Sequence, residues 1–198
     1  MTLKDYVDII RFEMKDNNIP EKYLQTQINL VRREIAYKTR CLECYSECLA
    51  EVDVYKYRFP RSSTDTAYVD LVEILTLKYD GVMLEDIAPD EMHYLRENDL
   101  TGTPRNFTLI GGKSQPTGFV ELWPTPDVSG KTIWIHAIQY PSPLVSMSGV
   151  CELQDAIQRI VLNQIVGEYM LKSWRTPGIS LINFNKDEIR DHTKLKKW

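Results

Sequence analysis

CELQDAIQRIVLNQIVGEYMLKSW (residues 151–174) is the stretch on which the fold of this chain turns. Leu153, Ile157, Ile160, Ile165, Tyr169 and Trp174 are among its apolar positions, and their arc is wide. A helix that is apolar over much of its circumference is packed on two sides. It therefore needs helical partners, which have to come from another part of the chain. TPG (residues 176–178) stops this helix.

The partners are visible at the other end of the sequence. Thr2 followed by Asp5 reads as a capping box with Asp in place of Glu. Leu3, Val7, Ile10 and Met14 then recur at helical spacing. After DNN (residues 16–18), Pro20 suits the first position of a second helix, in which Leu24, Ile28, Val31 and Ile35 form one stripe. The N-terminal region thus reads as an antiparallel helical pair within residues 1–48.

Between these helical ends the period changes to two. EVDVYKYRF (residues 51–59) alternates, and VDLVEILTLKYDG (residues 69–81) is a second strand closed by an Asp-Gly turn. PDEMHYLREN (residues 89–98) is a short helix with proline and acids at its start. TGTPRNFTLIGG, TGFVELW and KTIWIHAIQY supply three more strands. In VELWPTPDVSGK (residues 120–131), Pro124 and Pro126 offer no N–H and end a ladder. Residues 120–123 and 131–140 are expected to be neighbouring strands, joined by a stiff, projecting loop that touches partners. Protection of a sheet edge is the alternative reading of the prolines.

The expected fold is α+β. Two N-terminal helices and a long C-terminal helix form a bundle, with an inserted antiparallel β-sheet domain. The divisions are residues 1–48 for the helical pair, 49–143 for the β-domain with its short helix, 144–175 for the long helix and 176–198 for a tail.

Composition bounds the function. The chain has 198 residues and a net charge of −4. No basic face of the kind that grips nucleic acid is evident. No stretch approaches the uncharged apolar length that spans a membrane, and Asp5 within MTLKDYVDII does not fit a signal peptide. Cys41, Cys44, Cys48 and Cys151 are expected to be reduced cytosolic thiols. GGKS (residues 111–114) resembles the end of a phosphate loop, but Phe107 stands where a glycine is needed and Gln115-Pro116 where a helix should begin. Cys41, Cys44 and Cys48 are spaced by three and four, which on a helix aligns three thiols that could hold zinc or an iron–sulfur cluster. Their other reading is as small buried hydrophobes continuing the second helix's stripe, and the missing fourth ligand favours it. No nucleophile elbow occurs, and three histidines leave little for acid–base chemistry. A hydrolase with a carboxylate pair assembled in space is a further alternative.

The tail has its own character. ISLINF (residues 179–184) is apolar, and Lys186, Arg190, Lys194, Lys196 and Lys197 follow, outnumbering Asp187, Glu188 and Asp191, before a terminal Trp198. Such a segment orders on a partner, with an aromatic group as its anchor. The candidate partner-interface residues are therefore Trp123, Pro124, Pro126, Ile179, Leu181, Phe184, Arg190, Lys194, Lys197 and Trp198. No catalytic or cofactor-binding residue is assigned.

Taken in order, NIPEKYLQTQINLVRREIA, LVEILTLKYDGVMLEDIAPDEM, TGTPRNFTLIGG, VELWPTPD, IQYPSPL and the final apolar helix resemble the head-to-tail adaptor (connector) proteins of tailed bacteriophages, especially short-tailed ones. The likeness covers about residues 2–174. It implies a helical bundle with an inserted β-domain and a non-enzymatic structural role in the virion, at the head–tail interface, after assembly in the host cytoplasm. It implies a homo-oligomeric ring, typically dodecameric, between the portal protein and a tail or nozzle protein. DNA would pass through the lumen without specific binding, and no cofactor or membrane is implied. The three-cysteine cluster is no part of that pattern.

Overall fold

Thr2 caps the first helix as its spacing to Asp5 requires. In this computed structural model, which describes residues 1–60, 68–110 and 118–172, the Thr2 N–H donates to the Asp5 carboxylate at 2.7 Å. The Asp5 N–H donates in return to the Thr2 hydroxyl at 3.2 Å. Helix α1 (Leu3–Met14) ends on Lys15 in the left-handed conformation. Helix α2 (Glu21–Thr39) follows, with Pro20 as its cap residue rather than its first helical one, and closes on left-handed Arg40. Leu3, Val7, Ile10 and Met14 are buried on α1, and Leu24, Ile28, Val31 and Ile35 on α2. Helix α4 (Asp155–Lys172) packs Ile157, Ile160, Val161, Ile165 and Val166 into the same core. The apolar arc of α4 meets both α1 and α2, as its breadth demands.

The chain divides into two compact units. Met1–Leu42 and the chain from Pro141 on form one, and Glu43–Tyr140 forms the other. In the helical unit, the returning chain is clamped by α2. Asn29 Nδ2 donates to the Leu144 carbonyl at 3.0 Å, and its Oδ1 accepts from the Leu144 N–H at 2.8 Å. Gln25 donates to the same carbonyl at 2.9 Å. Arg32, 1% exposed, donates through Nη1 to Asn29 Oδ1 at 3.0 Å and to the Ser142 carbonyl at 3.1 Å.

The second unit is mostly sheet. Its elements in order are β1 (Glu43–Leu49), β2 (Lys56–Tyr57), β3 (Leu71–Tyr79), β4 (Val82–Met83), β5 (Glu85–Asp86), α3 (Pro89–Arg96), β6 (Thr101–Gly102), β7 (Asn106–Ile110), β8 (Phe119–Trp123), β9 (Thr125–Pro126) and β10 (Thr132–Gln139). One four-stranded sheet runs β1-β10-β3-β4 and another β2-β8-β7-β5, while β6 and β9 form a two-stranded pair. The two larger sheets share one core, with Leu77, Ile133, Ile135 and Ala137 from the first and Phe107, Val120 and Leu122 from the second. The Asp80-Gly81 turn expected after the long strand is present, with both residues at positive φ. The protein is thus α+β with sheets rich in antiparallel pairs.

Five expectations need correction. The helical stretch does not run to residue 48, because α2 stops at Thr39 and residues 43–49 are a strand. EVDVYKYRF is largely irregular, with a turn at residues 52–53, and only Lys56–Tyr57 pairs. The inserted unit therefore contains Glu43–Tyr140 rather than residues 49–143. The strands at 120–123 and 131–140 are not neighbours, since β8 and β10 lie in different sheets. Finally, the pairing is not wholly antiparallel, as β5 joins β7 and β6 joins β9 in parallel. Among the described residues, no helix is long and apolar enough to cross a membrane.

Candidate interaction surface

The proline-flanked stretch, expected to project, is folded inward. Pro124, Thr125 and Pro126 are buried and Trp123 is half-buried. The Thr125 N–H donates to the Leu100 carbonyl at 3.0 Å, so the one N–H between the two prolines still finds a partner. Arg96 of α3 fixes the stretch from the other side. Its guanidinium donates to the Thr125 hydroxyl at 3.0 Å and to the Leu122 carbonyl, and lies 3.6 Å from the Tyr55 ring centroid. Glu121, nearly buried, balances this charge, with Lys56 at 3.0 Å and the Arg96 Nε at 4.0 Å. Burial holds the Arg96 pKa below its ordinary value, and Glu121 opposes that shift. Trp123, Pro124 and Pro126 are thus parts of a packed junction and not a free loop. The exposed part of the connection is residues 127–130.

The remaining expected interface residues, Ile179, Leu181, Phe184, Arg190, Lys194, Lys197 and Trp198, lie outside the described residues, as does GGKS.

The cysteines do not share a helical face. Cys44 and Cys48 lie on β1, pointing the same way into the β core. Four residues along a strand separate them by about 13 Å, too far for two ligands on one ion at ~2.3 Å each. Cys41 packs instead against the helical core. Cys151 is buried, and the buried Tyr6 hydroxyl lies 3.5 Å from its sulfur. Burial pushes the Cys48 thiol pKa up to about 12, which keeps it protonated and a poor ligand. None of the four cysteines is in a disulfide. Among the described residues there is no group of three or more Cys, His, Asp or Glu placed to hold a metal ion.

The surface that the sequence did not bring forward lies on the opposite face of β1. Alternation sends Cys44, Ser46 and Cys48 inward and Glu43, Tyr45 and Glu47 outward. β1 pairs with β10 so that Tyr45 faces His136 and Glu47 faces Trp134. Tyr45 stacks on His136, with centroids 4.3 Å apart and planes 12° apart, and lies 5.8 Å from Trp134. Lys78, opposite Trp134 on β3, holds its ammonium 5.2 Å from the indole centroid. His136 Nε2 is 3.3 Å from a Glu43 carboxylate oxygen. Tyr45 is 60% exposed, although its ring is the largest apolar group on the strand's outer face.

This face has a definite chemical preference. Aromatic rings present electron-rich faces that attract ammonium and guanidinium groups. Carboxylates on both sides of Tyr45 add to the attraction for cations and repel phosphates. It therefore suits basic protein groups and disfavours a nucleic-acid backbone.

A scan against protein-family models finds no match to the chain, and a search of curated proteins finds no matching relative.

Proposed function

We propose that the protein is a head-to-tail adaptor of a tailed bacteriophage, a non-enzymatic ring subunit that joins the portal to the tail. The observation that carries this reading is the division of the chain. A helical unit is assembled from both ends of the sequence, with the β-rich unit between them, which matches a bundle carrying an inserted β-domain. The clamp of Asn29 and Arg32 on Ser142 and Leu144 supports it further, because it ties the returning chain to α2 just where the insertion closes. The subunits form a ring, typically of twelve, beneath the portal. The tail of the chain docks on the portal through its apolar and basic residues, a tail or nozzle protein follows, and DNA leaves through the lumen. A chain of net charge −4 does not hold passing phosphates tightly.

Electron microscopy of the purified protein mixed with the portal of the same phage tests this. The expected image is an added ring of density on the tail-facing side of the portal. Absence of any complex at micromolar concentration overturns the adaptor reading. Stoichiometric zinc or iron in the purified protein would point instead to the cysteine-based alternative.

A further inference from the structure

β1 is an edge strand, held in its sheet by β10 alone. The ladder fixes which of its backbone groups face outward. Ala50 donates to the Lys131 carbonyl at 2.7 Å and accepts from the Gly130 N–H at 2.8 Å, so both its groups turn to the β10 side. On the far side of β10, the Thr132 carbonyl accepts from the Asp80 N–H, so the next residue, Ile133, turns toward β1. Alternation then points the N–H and C=O of Cys44, Ser46 and Cys48 at β10, and those of Tyr45, Glu47 and Leu49 away from it. Among the described residues, none of those outward groups has a hydrogen-bond partner.

The same three residues expose their side chains on the outer face of the sheet, Tyr45 to 60% and Leu49 to 63%. One face of the Tyr45 ring lies on His136 of β10, so the other looks toward the open edge. Glu43 and Glu47 flank this ring at two residues on either side, about 7 Å away along the strand. A strand that only guards an edge presents charge there and keeps rings and leucines out of water. Pairing with a second β1 centred on Tyr45 would set Glu43 against Glu47 twice, which repels. The edge is thus open to a strand of opposite charge. A cation opposite Tyr45 meets the open ring face, and cations two residues to either side meet the carboxylates. Glu43 shares its carboxylate with His136, so Glu47 is the stronger selector.

We propose that β1 receives an extended segment of another protein as an added antiparallel strand. That segment carries Lys or Arg at three alternate positions, opposite Glu47, Tyr45 and Glu43, and an apolar residue opposite Leu49. Main-chain hydrogen bonds to Tyr45 and Glu47 hold it, and the side chains select it. The contact lies wholly within the β-rich unit and needs no portal, so it does not rest on the adaptor reading.

The probe is a fluorescein-labelled peptide, Thr-Val-Thr-Lys-Thr-Arg-Thr-Lys-Thr, titrated with the full chain up to about 500 µM at low salt. Fluorescence anisotropy is expected to show saturable binding. Tyr45→Ala and Glu47→Lys should each weaken it about fivefold. Both side chains are exposed, and far-UV circular dichroism checks that the variants fold. Two N-methylated forms of the peptide test the unmodified chain and so need no variant. Methyl groups on the Lys and Arg nitrogens block the N–H groups that face β1 and should weaken binding tenfold or more. Methyl groups on the intervening Thr nitrogens point away and should leave it nearly unchanged. Absence of saturable binding overturns the proposal. Equal binding of the two methylated forms overturns it as well, because charge alone then holds the peptide. So does binding that neither Tyr45→Ala nor Glu47→Lys weakens. The ring of density on the portal is a separate readout, so failure here is distinguishable from failure of the adaptor reading.

Discussion

Asn29→Ala tests the clamp that returns the chain to the helical unit. The side chain makes three polar contacts: it donates to the Leu144 carbonyl, accepts from the Leu144 N–H, and accepts from Arg32. These losses are not equal. The Leu144 carbonyl keeps Gln25 as a donor, and Arg32 Nη1 keeps the Ser142 carbonyl. The Leu144 N–H loses the acceptor that Asn29 supplies. An orphaned buried donor costs about 1–3 kcal/mol, and weakening one of two acceptors on a buried guanidinium adds about 1 kcal/mol. Asn29 is only half-buried, so water relieves part of this, and the expected loss is about 2 kcal/mol. For a unit of this size that lowers the melting temperature by roughly 8–16 °C. Asn29→Asp keeps both acceptor roles and gives up only the donor that Gln25 duplicates, so it should cost about 1 kcal/mol or less. Circular dichroism at 222 nm, which reports mainly the helices, follows both variants. If Asn29→Ala melts within ~2 °C of the parent, or if Asp is as damaging as Ala, the clamp does not stabilise the re-entry of the chain.

Arg96→Met should destabilise the β-rich unit by about 3 kcal/mol, because it strips Leu122 and Thr125 of donors and leaves Glu121 buried with Lys56 alone. Arg96→Lys should rescue little, since an ammonium cannot reproduce the fork, and near-ultraviolet denaturation midpoints measure both. Alkaline pH should weaken the fold. The unfolded Cys48 thiol ionises near ~8.5 while the folded one holds its proton to about 12, so the stabilisation is complete below the first value and declines between the two. Tyr57 and Tyr79, both raised by burial, extend the decline above pH ~10. Cys48→Val should flatten the slope of denaturation midpoint against pH between about 8.5 and 10, and an unchanged slope refutes the assignment. Truncation after Gly178 should leave the melting temperature nearly unchanged and abolish portal binding in a pull-down. Normal binding by the truncated chain places the portal contact elsewhere.

The parts of the fold legible in the sequence are those whose signal is local. Thr2 and Asp5 lie three residues apart, so the cap is written in five letters and the structure closes it. Leu24, Ile28, Val31 and Ile35 repeat along one helix, and all four are buried. CLECYSEC is harder because two periods compete in it. The cysteines at 41, 44 and 48 carry a helical spacing, while Glu43, Tyr45 and Glu47 carry a strand's. Left-handed Arg40 ends α2, and seven residues of pairing with β10 settle the contest for the strand. That pairing joins residues some ninety positions apart, and a single sequence carries no local trace of it. The assignment of β8 and β10 to different sheets has the same character, because both alternate equally well. The aromatic platform went unread for both reasons together: Tyr45 lay inside the ambiguous stretch, and its neighbours Trp134 and His136 reach it only through strand register.

Two arginines, Arg32 buried and Arg96 half-buried, answer one recurring problem in this chain. PTP (residues 124–126) and PSP (residues 141–143) are both Pro-X-Pro stretches. Each removes two N–H groups within three residues, so regular pairing is cut short there, at PTP to the two-residue β9, and nearby oxygen acceptors lose backbone donors that a longer sheet or helix would bring. At PTP, Arg96 from α3 supplies donors to the Leu122 carbonyl and the Thr125 hydroxyl. At PSP, Arg32 from α2 supplies one to the Ser142 carbonyl, beside the Asn29 bonds to Leu144. A guanidinium is suited to this because its donors are many, fixed in a plane and insensitive to pH. Prolines that end a strand so abruptly would otherwise leave slack joints. Here each is pinned by a helix of the same unit, which makes PTP a rigid junction within the β-rich unit and PSP a rigid point of return to the helical one.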